Sequence, residues 1–160
     1  MDHFTTYFNG EKLQCIAGAV FSLIGIAASV YFLFLQKPVL KGLAYAIIPL
    51  SILLLIICIG VIVRTPKDLA RLTTYQEENP KNIQIEEIPR MEKVMKSFGI
   101  VKKVELAFFL IGTVLTAIFW RNELIKGIGI GLIIMGVCLY AFDHIAESRG
   151  KMYVQLLKSL

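Results

Sequence analysis

The chain has 160 residues, 56% of them hydrophobic, and a mean hydropathy of +0.68, against about 45–50% apolar usage in an ordinary globular domain. Its 17 basic and 12 acidic residues leave four charge-free runs, at residues 13–36, 42–63, 106–120 and 127–142. Such runs are membrane-span candidates, which excludes a soluble enzyme, a disulfide-rich secreted domain and a disordered tail; the net charge of +5 then reports orientation and not nucleic-acid binding.

The start, Met1-Asp2-His3-Phe4, lacks the basic region of a signal peptide, and Leu33-Phe34-Leu35-Gln36 offers no small-residue cleavage site. The first span, about residues 13–36, is therefore expected to be retained, with Phe4, Tyr7 and Phe8 as an interfacial entry. The second span covers about 40–63, and Pro49 within it is expected to remove one backbone hydrogen bond and bend the helix. Arg64-Thr65-Pro66-Lys67-Asp68 reads as a new helix start, with Thr65 as cap, Pro66 in the first turn and Asp68 complementing the dipole. That helix is expected to reach about Gln76 and stop at Asn79-Pro80.

A second start lies at Ile88-Pro89, from which Met91, Val94, Met95, Phe98 and Val101 follow helical spacing. One helix of about thirty residues is expected to run from here through the third span, about 100–120. The fourth span covers about 124–143. The tail, 144–160, places Tyr153, Val154, Leu157 and Leu160 on one helix face. Residues 64–99 and 144–160 thus read as a helical layer outside the bilayer, serving either as structural packing or as a docking surface. The last two charge-free runs, 15 and 16 residues long, cover only ~22–24 Å of a core ~30 Å thick, so these spans must draw in flanking polar residues.

Basic residues set the expected orientation. Lys12, nine residues of 64–103 and three of the tail lie on one side, against Lys37, Lys41, Arg121 and Lys126 on the other. The excess marks the cytoplasmic side. The expected fold is an all-α, four-transmembrane-helix bundle, a single integral membrane domain over 1–160 with cytoplasmic helical extensions and both termini in the cytoplasm. The two halves also resemble each other. Phe21-Ser22-Leu23-Ile24-Gly25 matches Phe108-Phe109-Leu110-Ile111-Gly112 at an offset of 87, and Val39-Leu40-Lys41-Gly42-Leu43 matches Leu124-Ile125-Lys126-Gly127-Ile128 at an offset of 85. Either two apolar hairpins look alike by composition, or a duplicated hairpin makes a parallel repeat about an axis along the membrane normal.

Candidate functional residues cluster at the inner boundary. Glu105 lies 16 residues from Arg121 and Asp143 lies 17 from Lys126, so the two acids fall at similar depth, followed by His144, Glu147 and Arg149. Intramembrane ionisable groups are functional hypotheses by default. Here a structural tie of Glu105 with His144 or Arg149 competes with a proton- or ligand-handling site. Small residues form a second signal. Gly18, Ser22, Gly25 and Ser29 share one helix face, and Gly127 and Gly131 form a GxxxG; such faces permit close helix approach, inside the bundle or at a homodimer or partner seam. Cys15, Cys58 and Cys138, with no CxxC, read as small core residues. No catalytic motif, metal-ligand spacing or phosphate-cradling loop is present; no cofactor is expected, and the chain is read as a non-enzyme.

The segment Glu86-Glu87-Ile88-Pro89-Arg90-Met91-Glu92-Lys93-Val94-Met95-Lys96 and the tail Ala146-Glu147-Ser148-Arg149-Gly150-Lys151 resemble an uncharacterised group of small bacterial four-span proteins. The resemblance implies the bacterial cytoplasmic membrane. It also implies a role as an immunity protein, made beside a secreted toxin that attacks the inner membrane. Two further expectations stand beside that one: a small oligomeric transporter or channel using a path near Glu105 and Asp143, and an assembly or scaffold subunit of a membrane complex. The expected partners are the lipid bilayer, a protein partner such as a toxin or complex subunit, or a second copy of the chain.

Overall fold

The computed structural model describes residues 2–78 and 83–159, and every element among them is helical. In chain order these are α1 (Asp2–Phe34), α2 (Pro38–Glu78), a five-residue π-helical turn (Ile83–Glu87), α3 (Ile88–Ile118) and α4 (Glu123–Ser159). The predominance of helix follows from composition. Segments apolar on all sides must satisfy every backbone group within themselves once they leave water, and a helix does so.

The helices are longer than the separate pieces expected from sequence. The entry segment is the first part of α1, and the tail is the end of α4. The start expected at Thr65-Pro66 is absent: α2 continues through both Pro49 and Pro66. Thr65 does not cap. Its hydroxyl donates to the Val61 carbonyl at 2.8 Å, one turn back. Asp68 is held within the same helix by Arg64 at 3.0 Å and Arg71 at 3.4 Å, and these ties carry the helix across Pro66. The stop expected at Asn79-Pro80 falls outside the described residues. The long helix expected from Ile88 is α3, 31 residues in all.

Three helices are long and apolar enough to cross a membrane, Thr5–Phe34, Pro38–Tyr75 and Glu123–Ser159, the signature of a membrane protein. The fourth expected span does not reach this standard by itself. Lys102, Lys103 and Glu105 lie within the last eighteen residues of α3, and the charge-free remainder, Leu106–Ile118, covers only ~20 Å at 1.5 Å per residue.

Two tight turns close the hairpins at one end of the bundle. Gln36 takes a left-handed conformation (φ 57°) between α1 and α2. Asn122 caps α4, its side-chain oxygen accepting from the Ile125 amide at 3.2 Å. Of the long helices, α2 packs on α1 and on α4, and α3 packs on α4; among the described residues the α2 and α3 backbones nowhere come within 8 Å, Cα to Cα.

The α2–α4 crossing is reciprocal. A Cβ on Gly42 would lie 2.0 Å from the Leu124 carbonyl oxygen and 2.9 Å from the Ile128 amide; a Cβ on Gly127 would lie 2.1 Å from the Val39 carbonyl oxygen and 3.1 Å from the Leu43 amide. Each contact becomes the other when residue numbers change by 85. Gly131 would meet Ala46, its own counterpart at that offset. The repeat seen in sequence therefore coincides with a pseudo-two-fold relation at the crossing of α2 and α4, and the small residues at 42, 46, 127 and 131 let two backbones touch there.

At the other, polar end, Phe8, Leu72, Ile83, Met91, Tyr153 and Leu157 form a buried core that draws on all four helices and the π turn. The Tyr7 and Tyr153 rings stack at 4.0 Å. Gly42→Ala and Gly127→Ala are each expected to destabilise the fold by about 1–3 kcal/mol, the usual range for overpacking, when unfolding is measured in mixed detergent micelles. The double variant should cost less than the sum, because both act on one crossing. Gly60→Ala, with no neighbour within 4 Å of the added carbon, should leave stability unchanged or raised.

Candidate functional site: a buried acid pair in an apolar groove

Glu105 sits where α3 crosses α4. The crossing is close because α4 carries a glycine there: a Cβ on Gly136 would lie 3.1 Å from the Glu105 carbonyl oxygen and 3.2 Å from the Phe109 amide. The Glu105 side chain is only 4% exposed. Asp143 on α4 lines the same cavity, and Glu105 Oε2 has no hydrogen-bond partner. Both acids line a cavity of about 300 Å³ walled by Leu53 and Ile57 of α2, Val101 and Phe108 of α3, and Leu139 and Phe142 of α4. The cavity lies in the gap that α2 and α3 leave between them, with α4 as its floor.

The pseudo-symmetry gives this groove a counterpart. A second cavity, of about 430 Å³, is bounded by α1, α2 and α4. Its Phe21, Leu54 and Phe142 are the counterparts of Phe108, Leu139 and Ile57 at the same offsets of 87 and 85. Gly18 and Cys58 then stand where Glu105 and Asp143 stand in the first groove, and a Cβ on Gly18 would lie 2.8 Å from Cys58 Sγ. Two related grooves thus differ: Glu105 and Asp143 line the first, while Gly18, with Cys58 packed against it, lines the second.

The remaining members of the expected polar cluster do not join the acid pair. His144 is exposed, stacks on Tyr140 with ring centres 6.3 Å apart, and approaches Lys102 Nζ with Nδ1 at 3.3 Å. Glu147 pairs with Lys102 and, at 2.9 Å, with Lys151. Arg149 turns toward α1 and packs over Gly10. The tie expected between Glu105 and His144 or Arg149 is therefore absent, and Asp143 is the acid that shares the groove with Glu105. One helical step of about 100° separates Asp143 from His144, and only the first faces the crossing.

The small-residue stripes are occupied by the chain itself. Ser22 and Ser29 are fully buried, and the Ser22 hydroxyl donates to the Gly18 carbonyl at 2.8 Å. A Cβ on Gly25 would lie 2.9 Å from Ser51 Oγ of α2. Gly127 and Gly131 face α2, as described. Cys15 and Cys58 lie buried with Leu54 in a small core, both as free thiols. Among the described residues, no three His, Cys, Asp or Glu side chains are grouped so as to hold a metal ion.

Sequence reasoning missed a second charged centre, at the polar end. Glu87, 1% exposed, accepts from Arg90 Nε at 2.8 Å and Nη2 at 2.5 Å, from Arg71 Nη2 at 3.2 Å, and from the Tyr153 hydroxyl at 3.4 Å. Arg90 also reaches Asp68 at 3.8 Å, and Arg64 joins Asp68 to Glu11 of α1 at 3.5 Å. The network ties α1, α2, the π turn, α3 and α4 together. Its one local signal is the i,i+3 spacing of Glu87 and Arg90; the other partners are brought in by the fold. Burial pushes the Tyr153 and Tyr7 hydroxyls above their ordinary range, so both stay protonated.

The chain matches no family model, no curated protein and no solved structure.

Arg90→Ala removes the two-pronged partner of a buried carboxylate and is expected to cost about 1–3 kcal/mol. Arg71→Ala, which removes a single longer contact, should cost less in the same unfolding assay. Lys102 and Lys151 hold the Glu147 carboxyl down at about 2, below its ordinary 4.5. A lowered value in the folded state stabilises above the ordinary value and is lost as pH falls through the folded one. Stability should therefore decline between about pH 4.5 and 2, and Glu147→Gln should flatten part of that decline in a pH series of melting curves.

Proposed function

We propose that this protein is a non-enzymatic integral membrane binding protein with four spans and both termini in the cytoplasm of a bacterial inner membrane. The fourth span is α3. It is related to α1 by the pseudo-two-fold relation and packs on α4 along its length, and these relations favour equal depth in the bilayer. Lys102 and Lys103 can extend to the interface and so lengthen the short apolar run. The unequal basic residues, nine of them between 64 and 103, support the orientation.

The single observation that carries the binding reading is the apolar groove between α2 and α3, with a polar pair set in its floor. Pockets of ~300–1,000 Å³ with mostly apolar walls and a few convergent polar groups are the usual form of a small-ligand site, and this one, at about 300 Å³, falls at the lower limit. The more specific role, immunity against a membrane-acting toxin, draws on the outer faces of α1 and α3, which present apolar side chains such as Leu23, Ile24, Leu106 and Leu110. A small transporter or channel is favoured by one observation, the buried Glu105.

Native mass spectrometry of the intact protein, released from mild detergent, tests the binding reading. Wild type is expected to retain a bound molecule. Val101→Trp, which fills the acid-lined groove from an exposed position, should lose it, and Ala17→Trp, in the second groove, should keep it. A bare wild-type chain that conducts ions in liposomes would overturn binding in favour of transport.

A further inference from the structure

We propose that the acid-lined groove takes a single-chain amphiphilic primary amine, with its ammonium on Glu105 and Asp143 and its chain along the apolar walls. The inference rests on the binding reading above and deepens it. Three observations lead to it. The Glu105 carboxyl is 4% exposed and its Oε2 accepts no hydrogen bond, a costly arrangement for a polar atom away from water. Among the described residues, no basic side chain forms a salt bridge with Glu105 or Asp143, whereas Glu11, Asp68, Glu87, Glu92 and Glu147 each have one. The nearest cation, Lys102, is engaged by Glu147 and His144 and lies over the Tyr140 ring at 5.4 Å.

Two acids without a basic partner and one unused acceptor therefore border a cavity with no other ionisable side chain in its walls. A cationic head supplies the missing partner. A head that carries N–H groups matches the acceptor, and a quaternary ammonium has none to offer. Two carboxyls fall far short of the six to eight oxygens that calcium takes. A phosphate-bearing lipid head would bring a second anion to the pair, and a volume of about 300 Å³ suits one chain. The second groove supplies an internal control, because Gly18 and Cys58 replace the acids there while the walls stay apolar.

Isothermal titration of the purified full chain in a neutral maltoside detergent decides the matter with three ligands of equal chain length: octylammonium, octyltrimethylammonium and 1-octanol. Octylammonium is expected to bind wild type at least tenfold more tightly than either of the others. Glu105→Gln should reduce that preference to within about twofold, and Ala17→Trp should leave it unchanged. Wild type that binds octylammonium no more tightly than 1-octanol overturns the cation site but not the groove, provided that Val101→Trp still abolishes octanol binding. Equal binding of octyltrimethylammonium overturns the hydrogen-bonded primary amine. Failure of all three ligands to bind overturns both the cation site and the binding reading. The comparison of ligands on wild type stands whether or not the variants fold.

Discussion

The contact between α2 and α4 at Gly42 and Gly127 is the constraint on which the rest of the bundle depends. Each hairpin is closed by its own short turn, and neither turn joins one hairpin to the other. In the membrane-crossing part the halves meet chiefly through α2 and α4. Without the hydrophobic effect to drive helices together in lipid, close packing of small residues is what remains to hold them. A side chain at either glycine would meet backbone atoms of the opposite helix, which cannot move aside as a side chain could. The positions of α1 and α3, and of both grooves, follow from that crossing.

The near-symmetry of the crossing makes its violations informative. The backbone contacts of the α2–α4 crossing repeat at an offset of 85, and three pairs of groove-lining residues correspond at offsets of 87 and 85. The acid pair does not repeat. Where one half keeps Gly18 against Cys58, the other places the carboxyls of Glu105 and Asp143. Packing alone does not call for carboxyls there, since α1 and α2 make the counterpart crossing without them. That departure from symmetry costs desolvation, and it is the physical basis for proposing a ligand in one groove and not in its counterpart.

The polar end is held by different means. Water is near, the aromatic and aliphatic core is small, and the network around Glu87 supplies direction that an apolar core lacks. The carboxylate is fully buried, so its worth lies in being matched by Arg90, Arg71 and Tyr153 together; loss of one partner leaves a charge with an incomplete shell. Because these partners come from α2, α3 and α4, the network also fixes the angle at which the helices leave the membrane-crossing part.

Composition and charge-free runs were enough, by themselves, to reveal an all-helical membrane protein, since the cost of unpaired backbone groups in lipid leaves few alternatives. The internal offsets likewise pointed to the two hairpins. The boundaries were less legible. Thr65 and Pro66 have the residue types of a helix start, yet the chain passes through them as one helix, because Thr65 can equally bond back to Val61. The apolar run of α3 was legible only as a short one, its start blurred by Lys102, Lys103 and Glu105. For the site, the spacing of Glu105 and Asp143 from the opposite end of their helices placed them at one depth, but depth does not give azimuth. Whether Glu105 faces Asp143, His144 or Arg149 depends on the rotation of α3 against α4, which Gly136 and the neighbouring side chains set. The groove and the Glu87 network depend on contacts between residues far apart in the chain, so tertiary structure alone decided them: local periodicity specifies which face of a helix is apolar, and only packing specifies what that face meets.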